Sequence, residues 1–163
     1  MLKIRTAKPE DTGIILGFIK ELADFEKLSH QVTATETQLR KTLFEGERVA
    51  HVVIGEWNGK AVSFALYFFN FSTFLAKPGL YLEDLYVQPE FRSKGIGRQM
   101  LLHLVKIAAA KDCGRMEWSV LDWNERAIEF YEGLGAKPLS DWTMYRLTED
   151  VIHQLSGASE SRK

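Results

Sequence analysis

The chain carries one cysteine, Cys113, so no internal disulfide can form, which fits a reducing compartment. That thiol has no CxxC neighbour, and the four histidines, at 30, 51, 103 and 153, show no ligand spacing with one another; no metal site is expected. Charge of one sign is also lacking. Twenty-one Lys and Arg against 22 Asp and Glu leave a net charge of -1, so no global positive field gathers nucleic acid or anionic lipid. Long apolar runs are missing: the richest stretch, 61–71, is broken by Ser63 and Asn70 and falls short of the roughly 20 residues a membrane helix needs. The first residues lack the apolar core and small residues of a secretory signal. A cytoplasmic protein without nucleic-acid or membrane partners is expected.

What is present suffices for one core. The 163 residues are 45% hydrophobic and 12% aromatic, enough for a single α/β domain over 1–156, with a flexible tail at 157–163. A short strand at 2–5 leads through Pro9-Glu-Asp-Thr12 to a helix reaching about Leu28, whose apolar stripe is Ile14, Ile15, Phe18, Ile19, Leu22 and Phe25. A second helix is predicted over 35–44, then strands at 49–56 and 61–69 joined at Asn58-Gly59, the strongest short hairpin signal. Further strands are predicted at 80–87, 116–121 and 143–147. Helices are predicted from the glycines at 95 and 97 to about Cys113 and over 124–133.

The chemistry concentrates in Tyr81-Leu-Glu-Asp-Leu-Tyr-Val87 and the following Arg92-Ser-Lys-Gly-Ile-Gly97. A helix opening at these glycines leaves backbone N–H groups without intrahelical partners, and Arg92 and Lys94 add positive charge, so a pyrophosphate is the natural occupant. Position 100 is Met, which excludes the dinucleotide fingerprint, and no Walker loop is present. Regular alternation puts Leu80, Leu82, Asp84 and Tyr86 on one strand face and Tyr81, Glu83, Leu85 and Val87 on the other, a pattern that a β-bulge would alter. Each face then holds one carboxylate, either a base with a raised pKa or half of an ordinary ion pair. Asn124 reads as a helix cap or a polar contact to a cofactor, and Tyr131 as a proton donor or a core aromatic.

These segments, with Glu21-Leu-Ala-Asp-Phe-Glu-Lys-Leu-Ser-His-Gln31 and Val120-Leu-Asp-Trp-Asn124, resemble the GCN5-related acetyltransferase superfamily and, within it, the diamine acetyltransferase group. The resemblance covers about residues 2–147. It implies a mixed central sheet of about six to seven strands flanked by helices, with parted strands holding the arm of acetyl-CoA. Leu85, Tyr86 and Val87 would then meet the pantetheine, and Arg92, Ser93, Lys94, Gly95, Ile96, Gly97 and Arg98 the pyrophosphate. Asn124, Glu125, Arg126 and Ala127 would line the cofactor. The resemblance further makes Tyr131, beside the same cofactor, the acid that protonates the leaving thiolate, and Glu83 the base that deprotonates the acceptor ammonium.

For the acceptor, the resemblance implies a pocket of Phe25, Glu26, Ser72, Phe74, Glu83 and Asp84, whose acids favour a small cationic amine. Polyamine-specific members carry an acid and a tryptophan where Ser72 and Phe74 stand, so the chain looks closer to the branch that acetylates thialysine-like amino acids. A homodimer is implied likewise. Two other functions compete: a protein or peptide acetyltransferase of the same fold, and a noncatalytic acetyl-CoA-binding module.

Overall fold

The computed structural model describes residues 1–158; of the expected tail, residues 159–163 lie outside the described residues. The chain divides into two units, Met1–Leu121 and Asp122–Lys163.

The first unit is a five-stranded mixed sheet in the order β1 (Leu2–Thr6), β2 (His51–Trp57), β3 (Lys60–Ser72), β4 (Lys77–Val87) and β5 (Arg115–Trp118). Each of the first four strands is antiparallel to its neighbour, and β5 runs parallel to β4. Helix α1 (Thr12–Phe25) follows a single 3-10 turn at Pro9–Asp11, which Arg5 anchors by donating to both Asp11 carboxylate oxygens at 2.7 and 2.9 Å. Helix α2 (Glu36–Phe44) starts in a capping box: the Thr35 hydroxyl accepts from Gln38 N–H at 3.2 Å while the Gln38 side chain accepts from Thr35 N–H at 2.9 Å. The β2–β3 turn takes φ 50° at Asn58 and 85° at Gly59, the left-handed pair that a tight hairpin requires.

Two corrections concern α1. The helix ends at Phe25, before Leu28, because Lys27 takes φ 61° and Leu28 N–H returns to Ala23 carbonyl at 2.8 Å, closing the last turn. Ile14, expected on the apolar stripe, is exposed, while Ile15, Leu16 and Phe18 face inward. Phe18 stacks on Phe64 of β3 at 5.5 Å and tilts against Tyr86 of β4 at 6.2 Å, fixing which sheet face α1 covers. Helix α3 (Ile96–Ala110) covers the other face. A Cβ on Gly55 would lie 2.9 Å from the α3 Met100 sulfur and 3.2 Å from the Ser63 Cβ, so α3 packs onto β2 closely enough that a side chain there would force Met100 to shift.

The second unit contains α4 (Glu125–Gly133), α5 (Glu149–His153) and a last helical turn at Gln154–Ala158. No strand forms over 143–147, against expectation, and the described sheet has five strands where six to seven were expected. The segment has no ladder partner, and its apolar residues are not packed: Met144 is 73% and Tyr145 90% exposed. Helix α5, with Thr148 at its N-cap and Glu149 and Asp150 in its first turn, was not anticipated.

Candidate active site

Strand β4 is where the chain departs from regular pleating. Tyr81 pairs with Phe68 and Leu82 with Tyr67, but Asp84, not Glu83, pairs with Leu66, leaving Glu83 as the extra residue of a bulge. Directly paired residues share a sheet face, so the bulge moves Asp84 and Tyr86 to the α1 face while Leu80 and Leu82 stay on the α3 face. Ring contacts agree: Tyr81 stacks on Phe68 at 5.0 Å, and Tyr86 meets Phe18 of α1. The regular alternation expected over 80–87 is therefore corrected at Glu83.

The same bulge opens the sheet. The parallel ladder between β4 and β5 covers only residues 79–82 of β4, whereas the β3 ladder continues to Val87. Beyond Leu82, the β5-side edge of β4 has no strand partner; there the Tyr86 carbonyl turns to β3, accepting from the Ser63 hydroxyl at 2.7 Å, so the groups on the open edge are those of Leu85 and Val87. Directly after that edge the chain turns into α3. Ser93 takes φ 64° and the N-cap Gly95 φ 78°, with no side-chain cap on the helix. The first backbone i→i−4 bond is Gln99 N–H to Gly95 carbonyl at 3.0 Å, so the N–H groups of Ile96, Gly97 and Arg98 stand in the uncapped first turn. A Cβ at Gly95 meets nothing within 4 Å, so backbone conformation, not space, requires glycine. A free strand edge running into an uncapped helix N-terminus fits a ligand with an amide-bearing arm and a phosphate group.

Arg92 belongs to this turn, but its guanidinium points to the end of α1. Its Nε donates to Val87 carbonyl at 2.8 Å, and the group lies 4.9 Å from the Phe25 ring centroid and 5.4 Å from that of Tyr86. The contact joins the glycine turn to the end of α1. Lys94 sits over the Trp57 ring at 6.0 Å. Neither contact was visible in the sequence, because both partners come from other elements.

On the α1 face, Glu26 caps α1 and Asp84 follows the bulge. Asp84 is half-buried, and burial, then the charges of Glu83 and Glu26, push its carboxyl up to about 6. Burial also raises the Glu26 carboxyl. Glu83 is exposed. Two half-buried acids at the negative end of a helix make this a place that a cation relieves.

Other expected site residues lie elsewhere. Ser72 is buried at the end of β3, where its hydroxyl accepts from Leu75 N–H at 3.3 Å, and Phe74 is fully exposed at the hairpin tip. Ser72 lies six strand positions beyond Leu66, the partner of Asp84, roughly 20 Å at strand rise. The structure does not gather Ser72 and Phe74 with Phe25, Glu26 and Asp84 in one chain. In the second unit Asn124 caps α4, its Oδ1 accepting from Ala127 N–H at 3.3 Å, with Glu125 and Arg126 in the first turn. Tyr131 lies two turns along, its ring 5.5 Å from that of Phe130.

Comparison with known proteins adds four findings. Residues 17–136 match the model of the acetyltransferase (GNAT) family. The chain is 38% identical over 165 residues to a thialysine N-epsilon-acetyltransferase of Bos taurus, covering 94% of this chain and 96% of that one. It is 31% identical to an L-ornithine N5-acetyltransferase of Arabidopsis thaliana, covering 94% and 87%. Among solved structures, an integron cassette protein of V. cholerae superposes with a TM-score of 0.80 at 25% identity, over 96% of this chain and 98% of that one.

Proposed function

The chain belongs to the acetyltransferase (GNAT) family, and from that premise we propose that it moves the acetyl group of acetyl-CoA directly to the primary amine of a small cationic acceptor, thialysine-like amino acids and short diamines being favoured. The observation that carries this reading is the bulge at Glu83, which joins an open strand edge to a half-buried acid on the opposite side of one strand. The open edge at Leu85 and Val87 would hold the arm of the cosubstrate, and the turn at 93–98 its pyrophosphate. Bound there, acetyl-CoA supplies an activated acyl group as a thioester.

An alkylammonium is almost wholly protonated at neutral pH and has no lone pair for attack. The acids at the bulge, Glu83 and Asp84, with Glu26 across from them, attract the cation and receive its proton. The family resemblance, rather than any geometry, gives Asn124, Glu125, Arg126 and Ala127 of α4 to the cofactor and makes Tyr131 the residue that returns a proton to the departing thiolate. The family model runs through Leu121 into α4, which supports one acetyltransferase domain across both units. Support for a homodimer comes from the β3–β4 hairpin, where Phe71 is 59% and Leu75 53% exposed beside the fully exposed Phe74. The lone cysteine favours the cytoplasm, and among the described residues no helix is long and apolar enough to cross a membrane.

The test is competition. Incubated with acetyl-CoA and an equimolar mixture of a thialysine-like amino acid, a short diamine, spermidine and a peptide with a free amino terminus, the protein is expected to give acetylated amino acid and diamine first, read by mass spectrometry. Preferential acetylation of the peptide, or cofactor binding without any product, would replace this reading with one of its two competitors.

A further inference from the structure

Within the amine-acetylation reading above, on which it rests, we propose that Asn70, Arg115 and Glu117 form a second subsite, which holds the α-amino and α-carboxylate groups of a lysine-length amino acid while its distal amine lies at the acids of the bulge. The starting observation is an orphaned atom. The side-chain oxygen of Asn70, near the end of β3, is shut off from solvent and has no hydrogen-bond partner among the described residues. Folded chains rarely leave a buried polar atom unpaired, because nothing then offsets its lost hydration.

Strand register puts this atom in line with the bulge. On one face of β3 stand Leu66, Phe68 and Asn70, and opposite them β4 places Asp84, Tyr81 and Gly79. Strand β5 adds Glu117 beside Tyr81 and Arg115 beside Gly79. The α1 face therefore carries a lane. Asp84 lies at one end, the rings of Phe68 and Tyr81 stack at 5.0 Å in the middle, and an amide, a guanidinium and a second carboxylate meet at the far end. Gly79 makes that meeting possible: a Cβ there would lie 2.3 Å from the Asn70 oxygen and 3.2 Å from Arg115 Nε. Arg115 Nε is 3.0 Å from a Glu117 oxygen, and its Nη2 donates to Phe71 carbonyl at 3.0 Å. The Arg115 and Glu117 side chains are still 38% and 29% exposed, within reach of a solute.

A cation beside an anion and an unpaired amide oxygen is complementary to a zwitterion. The guanidinium fork takes the α-carboxylate. Glu117 and the Asn70 oxygen take the α-ammonium, which supplies the donor that the oxygen lacks. A part-exposed ion pair contributes little by itself, so the Arg115–Glu117 pair opens readily, and Arg115, drawn outward by the carboxylate, uncovers the Asn70 oxygen. Length agrees with this placement. The four strand positions from Leu66 to Asn70 span about 13 Å. In a lysine-length amino acid, roughly five bonds from distal amine to α-carbon cover about 6 Å, and a hydrogen bond of about 3 Å at each end brings the total to about 12 Å. The apolar spacer then rests on Phe68 and Tyr81. A short diamine does not span the lane and keeps both charges near the bulge.

The experiment compares kcat/KM for a lysine-like amino acid, its α-methyl ester and its α-N-formyl derivative, with acetylation of the distal amine read by mass spectrometry. The native protein should prefer the free amino acid over either derivative by about tenfold or more, expressed mainly in KM. This comparison needs no substitution in the protein. Arg115→Gln should bring the amino acid down to the level of its ester, with coenzyme A affinity unchanged. Asn70→Leu should raise KM for the amino acid while holding or raising the denaturation midpoint, because an unpaired buried oxygen is removed. Equal kcat/KM for the amino acid and its ester in the native protein, or a preference that survives Arg115→Gln, would overturn the subsite while amine acetylation stands. A loss of stability in Asn70→Leu with the preference intact would make Asn70 a structural residue and overturn its part in the subsite. No turnover of any amine by the native protein would overturn both readings.

Discussion

The two sides of β4 are built from chain of very different reach. The main part proposed for the donor is continuous: strand edge, glycine turn and helix start follow one another from Leu85 to Arg98. The acceptor side joins the end of α1 to the bulge of β4, elements separated by α2 and two strands. A continuous site is written in local conformation and survives changes far away. An assembled one depends on packing between α1 and the sheet, here Phe18 against Phe64 and Tyr86.

This difference decides what was legible in the sequence. The Gly95 N-cap, the uncapped α3 start and the Asn124 cap follow from residue type at fixed spacing, and the structure carries them as read. The register slip at Glu83 does not, because nothing in Tyr-Leu-Glu-Asp-Leu-Tyr marks which residue the β3 ladder will skip. The acid that faces α1 was therefore unreadable, as was the seat of Arg92 over Phe25. Ser72 and Phe74, grouped with the acceptor residues by resemblance, lie at the far end of the hairpin because β3 and β4 pair along their whole length. Residues 143–147 carry strand-compatible residue types, and a strand-compatible segment without a neighbouring strand makes no ladder.

The contrast can be broken at several points. The largest effect is expected from Tyr131→Phe on α4: kcat should fall about 100-fold or more while coenzyme A affinity, measured by calorimetry, persists. Loss of cofactor binding with turnover per bound enzyme unchanged would assign Tyr131 to the donor side's framework. Phe18→Ala should strike the acceptor side through packing, costing about 3–5 kcal/mol of stability in chemical denaturation. In the surviving folded fraction KM for the amine should rise more than the dissociation constant for coenzyme A.

Smaller changes sharpen the picture. Gly95→Ala places a Cβ in open space but at φ 78°, so about 1–2 kcal/mol of backbone strain should appear in stability and a weaker coenzyme A affinity, with amine preference unaltered. Asp84→Asn should raise stability at pH 7. A carboxyl whose folded pKa lies above its unfolded value binds more protons when folded, so its contribution is lost as pH rises from about 4 to about 6. Replacing it removes that cost, on the order of 1 kcal/mol once its partial exposure is allowed for. Thermal unfolding should show the gain at pH 7 and little of it at pH 4.

The acceptor side is tested most directly by the ratio of kcat/KM for a short diamine to that for a monoamine of the same length lacking the second charge. The native protein should favour the diamine by about tenfold, a difference of about 1.4 kcal/mol, and Glu26→Gln should erase most of that preference without changing coenzyme A affinity. Equal rates for the two amines in the native protein, or a preference untouched by Glu26→Gln, would contradict an acceptor site built from the end of α1 and the bulge of β4.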